Sequence, residues 1–403
     1  MKNKNVLITG CTGFLGSQLL VDLLDSKQID LNKISIFVRS KNKKHALKRL
    51  EYYCLPYKKE MKEKNEMMEK LEKCEIICGD FNSFKWEEER EKFKKFTHVI
   101  NVAANTYYNA RQDNITNVEG TFKFFETIAR NAENLEKIVH LSTAWICGGN
   151  QYLNPSVGWN KNAKDDADDN IQFFETSKMV VIKEDDYPLT QIKKEEHLVE
   201  YSIGKTNFEE KMKEFQMKEK IITVRPSIIM GHSKLGGMPS TSLFWLFKLS
   251  SQTGILCNLD SFIDIVPVDW VSQCILKLLD LEGHGLALNH HLYHLSSGVN
   301  QSCNFQQIYH SIPLPSFPGI HSNWSSLLKR NPLIFSDNPK KSQSIFRLLK
   351  PYYKFGSINL VFDNSRILDS GLVLPPPKLT DFSKDTYAYL QNKTFIQCMN
   401  EDF

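Results

Sequence analysis

A tyrosine and a lysine four residues apart form the pair with the clearest chemistry in the sequence. Tyr201 and Lys205 enclose the pattern Y-x-x-x-K. On a helix, residues with this spacing lie on one face, so both side chains would point into one site. A phenol has a reference pKa of about 10, and a neighbouring ammonium favours the phenolate. The pair can therefore act as an acid–base unit at a substrate oxygen.

A second chemical feature is the spacing of three glycines close to the start of the chain. Gly10, Gly13 and Gly16 follow the apolar run Val6–Thr9 and open an apolar helical pattern, Phe14–Leu24. Glycines in a G-x-x-G-x-x-G turn let backbone N–H groups approach a pyrophosphate, whose charge is favoured at the helix N-terminus. The motif predicts dinucleotide binding, and a purely structural turn is the alternative interpretation.

The residue after the second predicted strand bears on the choice of cofactor. An acidic residue there would bond the ribose 2′-hydroxyl of NAD, whereas Arg39 suits a 2′-phosphate. Lys41, Lys43 and Lys44 add positive charge nearby. The sequence therefore predicts NADPH as the cofactor, and the alternative is that Arg39 is a solvated surface residue.

An aspartate follows the third predicted strand, in the segment C-G-D-F. We expect Asp80 to meet the adenine amino group of the cofactor, with Phe81 beside it. The alternative is an exposed aspartate in a turn.

Short apolar runs alternate with longer helical patterns in the first half of the chain. The predicted strands are Val6–Thr9, Ile34–Val38, Glu75–Cys78, His98–Val102 and Lys137–Ser142. Helical patterns cover Phe14–Leu24, about Lys41–Lys73, and Asn117–Asn131. This alternation predicts a parallel sheet with helices on both faces, which suits strands that are continuous apolar runs. The predicted fold class is α/β, a Rossmann-type doubly wound parallel sheet with a smaller C-terminal substrate lobe.

Two stretches interrupt the alternation. Residues 148–194 are polar and acidic, and we interpret them as an inserted segment of loops over the site. Residues 311–356 contain a Pro-rich stretch followed by a basic, aromatic run. We expect an NADP-binding domain over residues 1–230 and a substrate-binding lobe over residues 231–403, with residues 257–297 returning to the Rossmann core.

The composition is that of a globular protein in a reducing compartment. The chain has 403 residues, 41% of them hydrophobic, and a net charge of +4 that gives no reason to expect a nucleic-acid partner. Its nine cysteines contain no C-x-x-C pair, so we expect reduced thiols and no metal site. We find no signal peptide and no apolar run long enough to span a membrane, which predicts a cytoplasmic protein.

Together these motifs resemble the extended short-chain dehydrogenase/reductase superfamily, and within it the thioester reductase domains and fatty acyl-CoA reductases of the male sterility group. The resemblance covers about Val6 to Gly298. The matching segments are Thr9–Gly16, Phe37–Arg39, Gly79–Asp80, Asn101–Ala104, Asn117–Thr121, His140–Ala144, Arg225–Ser227, Pro267–Val271 and Tyr293–Ser297.

The resemblance implies roles for the matched residues. Thr143 would bond the substrate oxygen, Tyr201 would be the acid, and Lys205 would hold the nicotinamide ribose. The remaining residues expected to bind the cofactor are Thr9, Gly10, Thr12, Gly13, Phe14, Leu15, Gly16, Arg39, Asp80, Phe81, Ala103, Ala104, Asn117, Pro226 and Ser227. For Asn117 a helix cap is an equal interpretation, and we interpret Asp264 and Asp269 as structural.

The resemblance further implies a substrate class, an acyl thioester on CoA or on an acyl-carrier protein, reduced to an aldehyde or alcohol. The alternatives are an extended reductase of a ketone, sterol or nucleotide sugar, and a cofactor-binding sensor without turnover. Leu243–Leu249 and Phe262–Val266 could line an acyl tunnel or belong to the core of the lobe. Phe346–Tyr353 could contact a membrane surface or an acidic carrier protein, or be a solvated helix face. No motif predicts the oligomeric state.

Overall fold

A computed structural model of the chain describes residues 4–26, 29–104, 115–149, 152, 179–185, 192–198, 200–236, 261–281, 288–312, 338–340, 342–344 and 358–391. Its centre is a seven-stranded sheet, formed by β1 (Val6–Thr9), β2 (Ile34–Val38), β3 (Glu75–Cys78), β4 (His98–Asn101), β5 (Lys137–Leu141), β7 (Ile221–Pro226) and β11 (Leu292–Leu295). The order across the sheet is β3-β2-β1-β4-β5-β7-β11, and every pairing is parallel. The predicted fold class is confirmed.

The strands are buried on both sides because helices cover both faces. In β1, Val6 and Ile8 face one hydrophobic cluster and Leu7 faces the other. The helices are α1 (Phe14–Asp25), α2 (Lys43–Cys54), α3 (Met61–Lys73), α4 (Thr121–Asn131), α5 (Glu200–Met212), α6 (Val268–Leu279), α7 (Gly298–Gln301), α8 (Phe305–Ser311), α9 (Ser365–Asp369) and α10 (Leu379–Gln391). Helices α1, α2, α3 and α6 pack on the first face, and α4 and α5 pack on the second.

One predicted helix is wrong in its extent. The pattern over Lys41–Lys73 forms two helices, α2 and α3, separated by a 3-10 turn at Leu55–Tyr57. Pro56 lies in that turn, where its missing N–H group and fixed φ favour an end to the α-helix. The break buries Tyr57, whose hydroxyl contacts the carbonyl of Phe14 at 3.2 Å.

Two small sheets bring distant parts of the chain together beside the central sheet. They contain β6 (Val180–Ile182), β8 (Ile228–Ile229), β9 (Phe262–Ile263), β10 (Ile265–Val266), β12 (Cys303–Asn304) and β13 (Leu360–Phe362). Strand β13 pairs in parallel with β6, so part of the predicted inserted segment is a strand held by the C-terminal part of the chain.

Asp264 is fully buried between these elements and the central sheet. Its carboxylate accepts hydrogen bonds from the backbone and hydroxyl of Ser297 and from the backbone of Phe362. Asp269, at the start of α6, accepts from the backbone and hydroxyl of Ser233. Both carboxylates have the contacts of residues that support the fold.

Several predictions fall on residues outside the described part of the chain. These are most of the inserted segment, at 153–178 and 186–191, the apolar run at 243–249 and the basic run at 346–353. The domain division at residue 230 stays a prediction. Among the helices that are described, none has the length and apolar character needed to cross a membrane.

Candidate active site

The glycine turn leaves no room for side chains at two of its three glycines. Gly10 has a φ of +78°, and a Cβ atom there would lie 2.6 Å from the backbone nitrogen of Ala103. A Cβ atom on Gly16 would lie 2.0 Å from the carbonyl oxygen of Gly10. At Gly13 the nearest atom would be at 3.4 Å, an ordinary contact. The turn thus packs tightly against the end of β4, with the N-terminus of α1 facing the same edge of the sheet.

A buried polar chain connects this turn to the neighbouring strands. The Thr9 hydroxyl donates to Oδ1 of Asn101 at 2.7 Å, and Nδ2 of Asn101 lies 3.0 Å from Nδ1 of His140. An amide nitrogen only donates, so Nδ1 of His140 accepts and Nε2 carries the proton. Burial lowers the pKa of His140 well below its usual value, and the Lys205 charge lowers it further. His140 is therefore neutral at physiological pH.

Two arginines meet at the carboxyl end of β2. Arg39 is exposed, and its backbone carbonyl accepts a hydrogen bond from Arg49 on α2. Arg49 also donates to the hydroxyl of Thr12 in the glycine turn at 3.2 Å. Burial lowers the pKa of Arg49, and the neighbouring Arg39 charge lowers it further. Arg49 could not be singled out from the sequence, because it is surrounded by residues of the same charge, Lys41, Lys43, Lys44 and Lys48.

Two residues expected to bind the cofactor have side chains in the hydrophobic core. Leu15 and Phe81 are each 6% exposed. The Phe81 ring packs on Phe37 and Phe124, at centroid distances of 5.2 and 5.1 Å. Asp80, beside it, is half-buried and accepts from the backbone of Asn82 at 2.9 Å. A cofactor contact from Leu15 or Phe81 would therefore come from the backbone.

Tyr201 and Lys205 lie on α5, as the spacing predicted for a helix. Lys205 is 2% exposed, and its Nζ donates to the carbonyl oxygen of Leu141 at 2.7 Å. The same Nζ lies 5.8 Å from the centroid of the Tyr201 ring, which is half-buried. The pKa of Lys205 is lowered to about 8, because the effect of burial exceeds the opposing effect of the Glu209 carboxylate. The helix is thus fixed to the end of β5 by the amine of the predicted pair.

Thr143 follows β5 and begins a 3-10 turn over Ala144–Cys147. Its hydroxyl accepts from the backbone of Trp145 at 3.3 Å and retains its own proton for a further acceptor. Thr143 is two residues beyond Leu141, the acceptor of the Lys205 bond. Lys205 therefore contacts the end of the strand that Thr143 follows, and Tyr201 lies one turn before Lys205 on α5.

The remaining predicted residues lie at the ends of strands, at the start of α1 or in the turn before α4. Ala103 and Ala104 are half-buried after β4. Pro226 ends β7, and Ser227 follows it with its backbone N–H bonded to Leu295 at 3.1 Å. Phe14 is half-buried at the start of α1. Asn117 lies in a π-helical turn, Ile115–Gly120, and its side chain is outside the described part.

An ion pair that the sequence analysis missed adjoins this site. Arg225 on β7 bonds Glu209 on α5 through two contacts, Nε to Oε1 at 3.1 Å and Nη2 to Oε2 at 2.5 Å. The signal was present in the sequence, because Glu209 continues the four-residue spacing of Tyr201 and Lys205 along one helix face. Its partner could not be found in this way, since Arg225 lies on a separate strand.

Comparison with solved structures identifies the class of fold. The terminal R domain from the myxalamid PKS-NRPS biosynthetic pathway matches 96% of this chain and 90% of its own, with a TM-score of 0.71 and 17% identity. At this identity the likeness shows the fold alone, a Rossmann-type α/β fold.

A family model of an NAD-binding domain, described as male sterility protein, matches residues 8–275. The chain belongs to this family, which confirms the resemblance inferred from the motifs. Fatty acyl-CoA reductase 8 of Arabidopsis thaliana is 30% identical over 168 residues, which are 38% of this chain and 34% of that protein. Fatty acyl-CoA reductase 1 of Homo sapiens is 26% identical over 358 residues, 82% of this chain and 63% of that protein. The chain thus spans about a third of the plant relative's length and less than two thirds of the human relative's.

Proposed function

We propose that this chain is an NADPH-dependent reductase of acyl thioesters, carried on CoA or on an acyl-carrier protein, which it converts to an aldehyde or alcohol. The observation that carries the proposal is the buried Lys205 ammonium, which shares a helix with Tyr201 and bonds Leu141 just before Thr143. In open α/β sheets, ligands bind beyond the carboxyl ends of the strands, where these residues lie. The relatives named fatty acyl-CoA reductases support a thioester as the substrate.

The chain's residues fit a nicotinamide dinucleotide. A Cβ atom at Gly10 or Gly16 would clash with neighbouring backbone atoms, so only glycine allows the turn to pack this closely. The backbone N–H groups of such a turn can bond a pyrophosphate. Arg39 and Arg49 would hold the 2′-phosphate, and Lys205 the nicotinamide ribose. Bound NADPH supplies hydride. We propose that Asp80 bonds the adenine. The residues that line the nicotinamide pocket are Ala103, Ala104, Asn117, Pro226 and Ser227.

The proposed chemistry uses the side chains at the β5–α5 contact. Thr143 and Tyr201 donate hydrogen bonds to the thioester oxygen, and each such donor is worth about 3–4 kcal/mol once charge develops on that oxygen. As the acyl carbon accepts hydride, Tyr201 gives its proton to the oxygen, and the Lys205 ammonium stabilises the resulting phenolate. The hemithioacetal then collapses to aldehyde and free thiol. A second hydride would give the alcohol.

A panel assay tests the proposal. The protein is given NADPH or NADH with acyl-CoAs and acyl-carrier thioesters of increasing chain length, and cofactor oxidation, free thiol and carbonyl products are measured together. We expect one thiol released for each aldehyde formed, with NADPH preferred over NADH. Tyr201→Phe should lose turnover and keep cofactor binding, while the exposed Tyr52→Phe, at 56% exposure, should keep both.

The same assay, with ketones, sterols and nucleotide sugars added as substrates, distinguishes the rival functions. Cofactor oxidation by a ketone, sterol or nucleotide sugar, with no thiol released from any thioester, would identify a different extended reductase. Cofactor binding without turnover on any substrate class would identify a sensor. Unchanged turnover in Tyr201→Phe would overturn the assigned acid, and a clear NADH preference would overturn the role of the two arginines.

A further inference from the structure

The Arg225–Glu209 pair is almost completely removed from solvent. The side chains are 4% and 8% exposed, and the two contacts give the bidentate geometry in which guanidinium–carboxylate bonds are strong and directional. Arg225 is the penultimate residue of β7, and Glu209 lies in the C-terminal half of α5. The pair therefore fixes the orientation of α5 against the central sheet at one point, and the Lys205–Leu141 bond fixes it at another.

Lys205 needs a compensating negative charge nearby. Its ammonium is almost completely buried, and the hydrogen bond to Leu141 is to a neutral carbonyl. An isolated buried ammonium loses its proton readily, because burial disfavours the charged form. Glu209 lies one helical turn from Lys205 on the same face of α5, and its carboxylate opposes the effect of burial on the Lys205 pKa.

Within the described part of the chain, charged and titratable groups surround Lys205 and its partner Glu209 from three elements. Tyr201 and Glu209 come from α5, His140 comes from β5, and Arg225 comes from β7 behind Glu209. His140 is neutral at physiological pH and adds no charge. Of these groups, Glu209 alone supplies a negative charge that favours the ammonium.

We propose that Glu209 is a positioning residue for the reaction: Arg225 holds its carboxylate in place, and this fixed charge keeps Lys205 protonated beside Tyr201. The proposal rests on the function proposed above, in which the ammonium stabilises the Tyr201 phenolate and holds the cofactor ribose. Stability of the fold alone does not explain charged residues at these two positions, because a well-packed apolar pair commonly stabilises a fold as well as or better than a buried ion pair.

Direct titration of the Lys205 amine tests the proposal without relying on turnover. The protein carries ¹³C at lysine Cε, and the Lys205 signal is assigned by its loss in Lys205→Arg. In Glu209→Gln, we expect the midpoint of this signal to fall by about one pH unit or more, as for loss of a charge at close range in a buried site. The alkaline limb of kcat/KM for a thioester substrate should move to lower pH by the same amount. The matched control is Glu210→Gln, because Glu210 is on the same helix and pairs with Lys213 towards solvent.

Glu209→Gln leaves the buried Arg225 without its partner, which can destabilise the fold. A second variant therefore separates the effect of the Glu209 charge on Lys205 from the effect on stability. The double variant Glu209→Gln with Arg225→Met removes both charges, and we expect it to recover thermal stability while the Lys205 midpoint stays low. Glu209→Asp, which keeps the charge, should return the midpoint most of the way to the native value.

The outcomes separate this proposal from the proposed function. The proposed role of Glu209 would be overturned if Lys205 titrates with the native midpoint in a folded Glu209→Gln or double variant, even if thioesters are reduced. If neither variant folds, the pair is a requirement of the fold and the proposal is equally overturned. A lowered midpoint in a protein that reduces no thioester would retain the Glu209–Lys205 coupling and reject the proposed substrate.

Discussion

The Nζ atom of Lys205 donates a hydrogen bond to the backbone carbonyl of Leu141 at 2.7 Å, which joins the helix of Tyr201 to the end of the strand before Thr143. The bond fixes the helix of the proposed acid beside the strand that leads to Thr143. Replacing Lys205 by Met keeps most of its volume and removes the charge. We expect turnover to fall by about 100-fold or more, since the phenolate loses its stabilising cation.

Steady-state kinetics and thermal unfolding of Lys205→Met check this expectation. The control is Lys211→Met on the same helix, because Lys211 is exposed and stacks on Phe122 away from Leu141. Equal turnover in the two variants would contradict the role of Lys205.

Arg49 provides a test of cofactor selection. Arg49→Gln removes one of the two cations at the end of β2 while leaving Arg39 in place. We expect KM for NADPH to rise about tenfold or more and KM for NADH to change little, because NADH has no 2′-phosphate for the guanidinium to bond. Lys48→Gln, an exposed neighbour on α2, is the matched control. A parallel rise in both KM values would show that Arg49 supports the turn through Thr12 and does not select the cofactor.

The glycine turn gives a prediction about folding that compares two positions three residues apart. Gly16→Ala would place a Cβ atom 2.0 Å from the Gly10 carbonyl oxygen, so the turn and α1 must move apart. We expect a lower Tm and loss of NADPH binding, measured by thermal unfolding and by titration of cofactor fluorescence. Gly13→Ala meets only a contact at 3.4 Å and should leave Tm nearly unchanged. Equal Tm values for the two variants would argue against the close approach.

Asp264 tests the connection between the central sheet and the C-terminal strand β13. Asp264→Ala leaves the buried N–H groups of Ser297 and Phe362 without their acceptor, and each unsatisfied group costs about 1–3 kcal/mol. We therefore expect the free energy of unfolding to fall by about 3 kcal/mol or more in denaturant titrations. The cap variant Asp30→Ala, in an exposed turn, should cost about 1 kcal/mol or less. Similar losses in the two variants would remove the assigned role of Asp264.

Local patterns in the sequence were sufficient for most of the central sheet. The strands Val6–Thr9, Ile34–Val38 and Glu75–Cys78 have the predicted bounds, because an apolar run between turn residues is a local signal. The helix predicted over Lys41–Lys73 was wrong because Pro56 outweighed the surrounding helix-favouring residues. The pairing of Leu360–Phe362 with Val180–Ile182 could not be predicted, since it joins short segments far apart in the chain.

The candidate site shows the same division between local and distant contacts. Tyr201 and Lys205 could be found because their spacing is fixed by one helix. Two other pairs could not be found, because each joins different elements and its importance depends on burial. These are Arg49 with Arg39, and Arg225 with Glu209. The polar chain from Thr9 to His140 runs across three strands, and a single sequence carries no signal for such a chain.

The central claim is that hydride reaches the carbon of an acyl thioester. The most direct measurement uses NADPH with deuterium at both C4 positions of the nicotinamide and the best acyl-CoA or acyl-carrier thioester, followed by mass analysis of the product and assay of free thiol. Hydride transfer to the thioester predicts one deuterium at the former acyl carbon and one NADPH oxidised per thiol for an aldehyde product, or two of each per thiol for an alcohol. Deuterium at any other position, or NADPH oxidation without thiol release, would contradict it.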